Sequence, residues 1–218
     1  MTTKKRIAII GAGVAGMAFA ILAARQGHFV NVFERRPQVG SELGAGVTLW
    51  PNASFVLKQM GLLDDIVKVS GKPKSMVRFD QYSSEQPNEP FREKSRLVIH
   101  EINRQAQHET YSILRRDLMV ILFDALQKTQ ARIHFSHPIQ AEELAQLKAE
   151  YDLVIGAGGR MHSAARQNII AVLSTELPVD NEAIYQGFIN VIGITQSPLT
   201  LIDKGVIQDY WGDGERFG

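Results

Sequence analysis

Near the start of the chain, KRIAIIGAGVAGMAFAILAARQG passes directly from a short apolar run into three glycines and then into an Ala-rich segment. Residues 5–10 have the pattern of a buried strand, and Gly11, Gly13 and Gly16 open a helix that Gly27 can end. FVNVF at 29–33 is the next strand and finishes at Glu34, 18 residues beyond Gly16. Strand, glycine turn, helix, strand is a βαβ unit, and such a unit commits the chain to a parallel sheet with helices on its faces.

Each glycine has a separate physical task in such a turn. Gly11 can make the tight bend, Gly13 lets a pyrophosphate approach the backbone, and Gly16 lets the helix pack closely. The helix N-terminus then offers unpaired N–H groups to the phosphates. Glu34 is placed to accept both hydroxyls of an adenosine ribose and would repel a 2′-phosphate, which favours FAD or NAD over NADP. A second glycine-punctuated strand exit stands at 151–166, YDLVIGAGGRMHSAAR, with Ser163 and Arg166 where the first exit has apolar residues. One cofactor long enough to touch both exits would account for the pair.

Between them, Pro37 to Gly46 is a glycine-rich loop, and NASFVLKQMG at 52–61 has a helical pattern that Asn52 could cap and Gly61 could stop. LLDDIVKV is a second short helix. KSMVRFD and SRLVIHEI alternate as strands around the polar stretch SSEQPNEPFREK, which suits a hairpin loop. ILRRDLMVILFDALQKT at 113–129 carries a helical stripe through Leu118, Ile121, Leu122, Ala125 and Leu126. ARIHFSH is a strand, EELAQLKAE a short helix or an amphipathic strand pair, and YDLVIGA a buried strand. After Pro178 the pattern is β-rich. These patterns predict an α/β chain: a Rossmann-like domain over 1–71 and 106–177, interleaved with an incomplete antiparallel sheet over 72–105 and 178–218.

Composition narrows the function. Twenty-four Lys/Arg against 23 Asp/Glu give a net charge of +1, which excludes a strongly basic nucleic-acid or membrane surface. With no cysteine, disulfides, thiolate metal sites and thiol nucleophiles are excluded. His134 and His137, three apart on a strand-like segment, should point to opposite faces and make a poor metal pair. No apolar run reaches the length of a membrane span, so a soluble cytoplasmic protein is the expectation.

In family order, IAIIGAGVAGMAFAILAARQGHFVNVFER, GAGVTLWPNASFVLKQMGL at 44–62, ILRRDL at 113–118, YDLVIGAGGRMHSAAR and the tail YWGDGERFG resemble the FAD-dependent aromatic hydroxylases, flavoprotein monooxygenases of the p-hydroxybenzoate and salicylate hydroxylase type. The resemblance implies that Gly11, Gly13, Gly16 and Glu34 hold the AMP half of FAD, with Arg35 near the adenine end. It implies that Arg115 lies near the pyrophosphate and ribityl chain, where a guanidinium fork suits phosphate oxygens. Gly44, Gly46, Pro51 and Asn52 match the loop and helix near the flavin's reactive end, and Trp50 and Phe188 are candidate pocket or core aromatics. In the second turn the family pattern has Ala-Asp-Gly; here the aspartate position falls on Gly158 counted from Ala157, or on Gly159 counted back from Ser163. The carboxylate is absent either way, while Gly159, Ser163 and Arg166 carry over.

The activity implied is hydroxylation of a small aromatic or heteroaromatic substrate, driven by NADH or NADPH through a flavin C4a-hydroperoxide. Tyr82, Tyr185 and Tyr210 are candidates for activating a phenolic substrate by residue type alone, and no catalytic residue is assigned. Complete members of the family carry a later Gly-Asp turn with a helix, so the expectation is an incomplete enzyme whose missing half is covered by self-association or a partner. The alternatives are an FAD-binding or protein-interaction fragment without turnover and, with less of the sequence explained, an NAD-dependent dehydrogenase.

Overall fold

The computed structural model describes residues 3–40, 45–80, 92–159, 165–166, 204–211 and 216–217. In chain order the elements are β1 (Arg6–Ile10), α1 (Val14–Arg25), β2 (Phe29–Phe33), β3 (Gly46–Leu49), α2 (Pro51–Gln59), α3 (Leu63–Val69), β4 (Ser75–Asp80), β5 (Arg92–Val98), α4 (Ile99–Ala106), β6 (Tyr111–Leu114), α5 (Arg115–Gln127), β7 (Arg132–His134), α6 (Ala141–Glu150), β8 (Leu153–Gly156), β9 (Val206–Trp211) and β10 (Arg216–Phe217). They form two compact units, Met1–Leu43 with Arg116–Val191 and Gly44–Arg115 with Ile192–Gly218. Segments 44–71 and 106–115 therefore fall in the second unit and not with the glycine turn. Strand pairing is the reason: β3 pairs with β6, and Gly71 bridges to Ser112.

The first unit is a Rossmann-like α/β layer. Its four strands are all parallel, in the order β7-β2-β1-β8. β1 is apolar on both sides because helices cover both faces of a parallel sheet. Ala8 and Ile10 pack with Phe33 and with Leu144 and Leu147 of α6, while Ile7 and Ile9 are buried on the alternate positions of the strand. Met17, Ala20 and Ile21 give α1 a fully buried stripe, and each large apolar side chain buried this way contributes roughly 1.5–3 kcal/mol. EELAQLKAE is helical, not a strand pair: the Gln140 N–H donates to Glu143 Oε2 at 2.9 Å, closing the start of α6.

The second unit holds a four-stranded sheet, β10-β9-β4-β5, and the two-stranded sheet β3-β6. β4–β5 and β9–β10 are antiparallel as expected, but β9 runs parallel to β4. A long connection leaves strand direction free, whereas a tight hairpin forces it to reverse. SRLVIHEI is not one strand: β5 ends at Val98, and Ile99 turns into α4 with its side chain fully buried. Asn52 does not cap α2. Pro51 takes the first helical position, Trp50 becomes the N-cap, and Asn52 is exposed. Gly61, with φ +67°, ends that helix as predicted.

Candidate functional site

The two glycine exits interlock. β1 and β8 are parallel neighbours, so their C-terminal ends emerge side by side, and the Ala157 N–H donates to the Ile10 carbonyl at 2.8 Å. Gly11 has φ +109°, and a β-carbon there would lie 2.5 Å from the Ala157 carbonyl oxygen. A β-carbon on Gly16 would run into the Gly11 carbonyl oxygen. Gly13 differs from both: its φ is −75°, and a β-carbon would meet no described atom within 4 Å. Two glycines are thus required by packing inside the protein, and the third keeps an open approach to the backbone.

That open approach lies at the start of α1. Among the described residues no side chain caps the helix, no acidic residue stands in its first turn, and its first internal bond is Met17 N–H to the Gly13 carbonyl at 2.9 Å. The N–H groups of Val14, Ala15 and Gly16 precede that bond and are oriented for an anion. Glu34, half-buried at the end of β2, accepts the Ala12 N–H on Oε2 at 2.7 Å and the Arg36 N–H on Oε1 at 3.0 Å. A carboxylate and a row of amide donors therefore flank the same glycine turn, which fits a dinucleotide with its ribose at Glu34 and its pyrophosphate at the helix.

The structure brings Gly11, Gly13, Gly16, Glu34, Gly158 and Gly159 together in the first unit, with Arg35 exposed directly after Glu34. Gly159 has φ +83° with no described atom within 4 Å of an added β-carbon, whereas Gly158 is outside the positive-φ region. Gly46 and Arg115 lie in the second unit at one end of the β3–β6 pair: Gly46 pairs with Leu114, and the Arg115 N–H donates to the Ala45 carbonyl at 3.0 Å. Arg166 is half-buried. Ser163, Gly44, Tyr82, Tyr185 and Phe188 lie outside the described residues. Tyr210 stacks on Phe79 with centroids 4.8 Å apart and donates its hydroxyl hydrogen to Gln208 Oε1, a contact within the sheet.

One feature of the site was not foreseen. β7 stops at His134 because Ser136 adopts φ +52°, and the resulting turn breaks the strand alternation that would place His134 and His137 on opposite faces. Both imidazoles instead lie against Phe33, with ring centroids 5.0 and 5.1 Å from it and 6.4 Å from each other. The turn is sewn to Glu34: Glu34 N–H donates to the His134 carbonyl at 2.8 Å, His137 N–H to the Glu34 carbonyl at 2.9 Å, and Ser136 N–H to the Arg36 carbonyl at 2.9 Å. Burial, then the neighbouring His137 and Arg132, hold the His134 pKa below its ordinary 6.5. Among the described residues no group of three or more His, Asp or Glu side chains is placed to hold a metal. The parity break at Ser136 has no signature in residue type, so only the structure could reveal the pair.

Comparison with known proteins agrees with this geometry. Residues 9–47, spanning the glycine turn and Glu34, match the model of an NAD(P)-binding Rossmann-like domain. The FAD-dependent monooxygenase atnA of an Arthrinium species is 27% identical over 91% of this chain and 28% of its own length. The 6-hydroxynicotinate 3-monooxygenase of Bordetella bronchiseptica is 28% identical over 91% of this chain and 50% of its own, and the FAD-dependent urate hydroxylase of Mycolicibacterium vanbaalenii 25% identical over 97% and 52%. The chain thus spans about half the length, or less, of these curated relatives. Among solved structures, a variant of 2-methyl-3-hydroxypyridine-5-carboxylic acid oxygenase superposes with a TM-score of 0.58 at 21% identity, covering 77% of this chain and 42% of that one. The p-nitrophenol 4-monooxygenase PnpA of Pseudomonas putida gives 0.53 at 18% identity, covering 64% and 34%, a likeness of fold.

Proposed function

We propose that this chain, which belongs to the FAD-dependent, aromatic hydroxylase-like monooxygenase family, binds FAD at the first glycine turn and serves hydroxylation of a small aromatic or heteroaromatic substrate with NADH or NADPH as electron donor. The observation that carries the reading is the Glu34 carboxylate and the uncapped start of α1 meeting at one turn, with Gly13 open between them. Glu34 would exchange its bond to the Ala12 N–H for the two ribose hydroxyls, and the amides of Val14, Ala15 and Gly16 would take the pyrophosphate. When bound, FAD supplies the redox and oxygen chemistry; the chain contributes binding, orientation and exclusion of water.

A second reading, FAD binding without turnover, is favoured by the second turn. Gly158 and Gly159 put no carboxylate where the family resemblance has an aspartate, and Gly159 sits at a positive φ that disfavours one. One experiment separates the readings. The purified chain is titrated with FAD by flavin fluorescence, then assayed for NADH and NADPH oxidation, peroxide and hydroxylated product over a panel of phenols and heteroaromatic acids. Saturable FAD binding with product supports the first reading. Binding without NAD(P)H oxidation, or with peroxide alone, supports the second, and absence of saturable FAD binding defeats both.

A further inference from the structure

The turn that follows β7 links the half-buried imidazoles to the ribose acceptor through backbone. Glu34 is gripped on both sides of its own peptide, N–H to the His134 carbonyl and carbonyl to the His137 N–H, and Arg36 is gripped by Ser136. The position of the Glu34 Cα, and so the aim of its carboxylate at the glycine turn, depends on this turn staying packed. The turn in its turn is anchored by rings: His134 lies nearly flat on Phe33, with an interplanar angle of 16°, and its Nε2 is 2.9 Å from Asn31 Oδ1.

We propose that the 134–137 turn is the positioning element for Glu34, and that it couples dinucleotide binding to the protonation of His134, the packed turn requiring a neutral imidazole there. The inference rests on Glu34 being the ribose acceptor. The surroundings of His134 give the coupling its direction. β2 presents Asn31, Phe33 and Glu34; β7 presents Arg132; the turn presents His137; α6 presents Glu143, with Tyr151 just beyond it. Of these the carboxylates are committed elsewhere, Glu34 to Ala12 and Arg36 and Glu143 to His137 at 3.6 Å and to the start of α6. A proton on His134 therefore meets Arg132 and His137 and a partly desolvated setting, with the Asn31 carbonyl alone among the described residues in compensation. A folded pKa below the unfolded value means that packing is favoured above about pH 6.5 and is lost as pH falls below it. Protonation releases the ring to water, the Glu34 N–H bond loosens, and the ribose acceptor loses its aim.

FAD titration of the full chain by flavin fluorescence at pH 7.5 and pH 5.5, for the wild type and for His134→Gln, tests this. The wild type should bind up to about tenfold more weakly at pH 5.5, the limit set by one histidine titrating no higher than its ordinary value. His134→Gln, whose amide can still reach Asn31 and does not titrate, should change by less than twofold. Hydrogen exchange on the wild type gives a second readout: protection factors of the Glu34 and His137 amides should drop at pH 5.5 while that of Val32 holds. A wild-type affinity that is flat with pH, a His134→Gln variant that keeps the full pH dependence, or equal loss of protection at Val32 would overturn the proposal. Failure of the wild type to bind FAD at pH 7.5 would instead overturn the reading of Glu34 on which it rests.

Discussion

Replacing Gly13 and Gly16 separately by alanine should split binding from folding. At Gly13 the new methyl meets nothing within 4 Å and the backbone, φ −75° and ψ −177°, is ordinary for an L-residue. The folded chain loses only the modest advantage of glycine over alanine at an N-cap, about 0.5–1 kcal/mol, or a few degrees in Tm for a chain of this size. The methyl nevertheless occupies the approach that a pyrophosphate needs. Losing one charge-assisted hydrogen bond, about 1.5–3 kcal/mol, predicts FAD binding weaker by roughly tenfold to somewhat over a hundredfold. At Gly16 the methyl collides with the Gly11 carbonyl, whose own residue is pressed against Ala157. Neither turn can yield without moving the other, so overpacking of about 1–3 kcal/mol should lower Tm as well as affinity. Thermal melts by circular dichroism without FAD, paired with fluorescence titration, measure both quantities. If Gly13→Ala binds FAD within threefold of the wild type, or loses as much stability as Gly16→Ala, the division of labour among the glycines is wrong.

Glu34→Ala removes the acceptor of the Ala12 and Arg36 N–H groups and the ribose contact; FAD affinity should fall by at least about tenfold, from charge-assisted bonds worth about 1.5–3 kcal/mol each, and unchanged affinity would displace the ribose from this residue. In the second turn, Gly158→Asp should leave Tm nearly unchanged, whereas Gly159→Asp at φ +83° should cost about 1–2 kcal/mol; the reverse order in thermal melts would contradict the backbone geometry. Ser136→Gly relieves a left-handed serine and should raise stability by up to about 1 kcal/mol, read as a higher urea midpoint. The His134 imidazole should titrate below 6.5 by NMR, so its contribution to stability is present above that pH and lost as pH falls through and below it.

The glycine turn was legible because its constraints are local. Gly11, Gly13 and Gly16 follow an apolar run and precede a helix, and Glu34 closes the next strand, so spacing alone places them. The matching glycine exit of β8 suggested a shared cofactor, but neither the pairing of β8 beside β1 nor the contact of Gly11 with Ala157 could be read from it. Elsewhere local patterns were degenerate. Leu97 and Ile99 fit strand alternation while Ile99 and Ile102 fit a helical i, i+3 step, and Ile99, fully buried, begins the helix. Asn52 is a good cap by type, but the preceding proline claims the first helical position. The direction of β9 and the left-handed Ser136 depend on contacts between distant parts of the chain, which no window of residues contains.

The interlock of the two exits has a consequence for how this protein is made. The start of β1 is tied to the approach of β8 by the Arg6 N–H bond to Asp152 across a separation of 146 residues, and Gly11 is shaped against Ala157 just beyond. A nascent chain that has emerged only through β2 already carries the whole glycine motif, yet half of the wall that holds its conformation has not been synthesised. Closing so long a loop costs entropy before any contact rewards it. The cradle should therefore be among the last parts of the first unit to become rigid, and free FAD, which can add its binding energy only to the closed form, would act as a late fastener rather than as a template for the early chain.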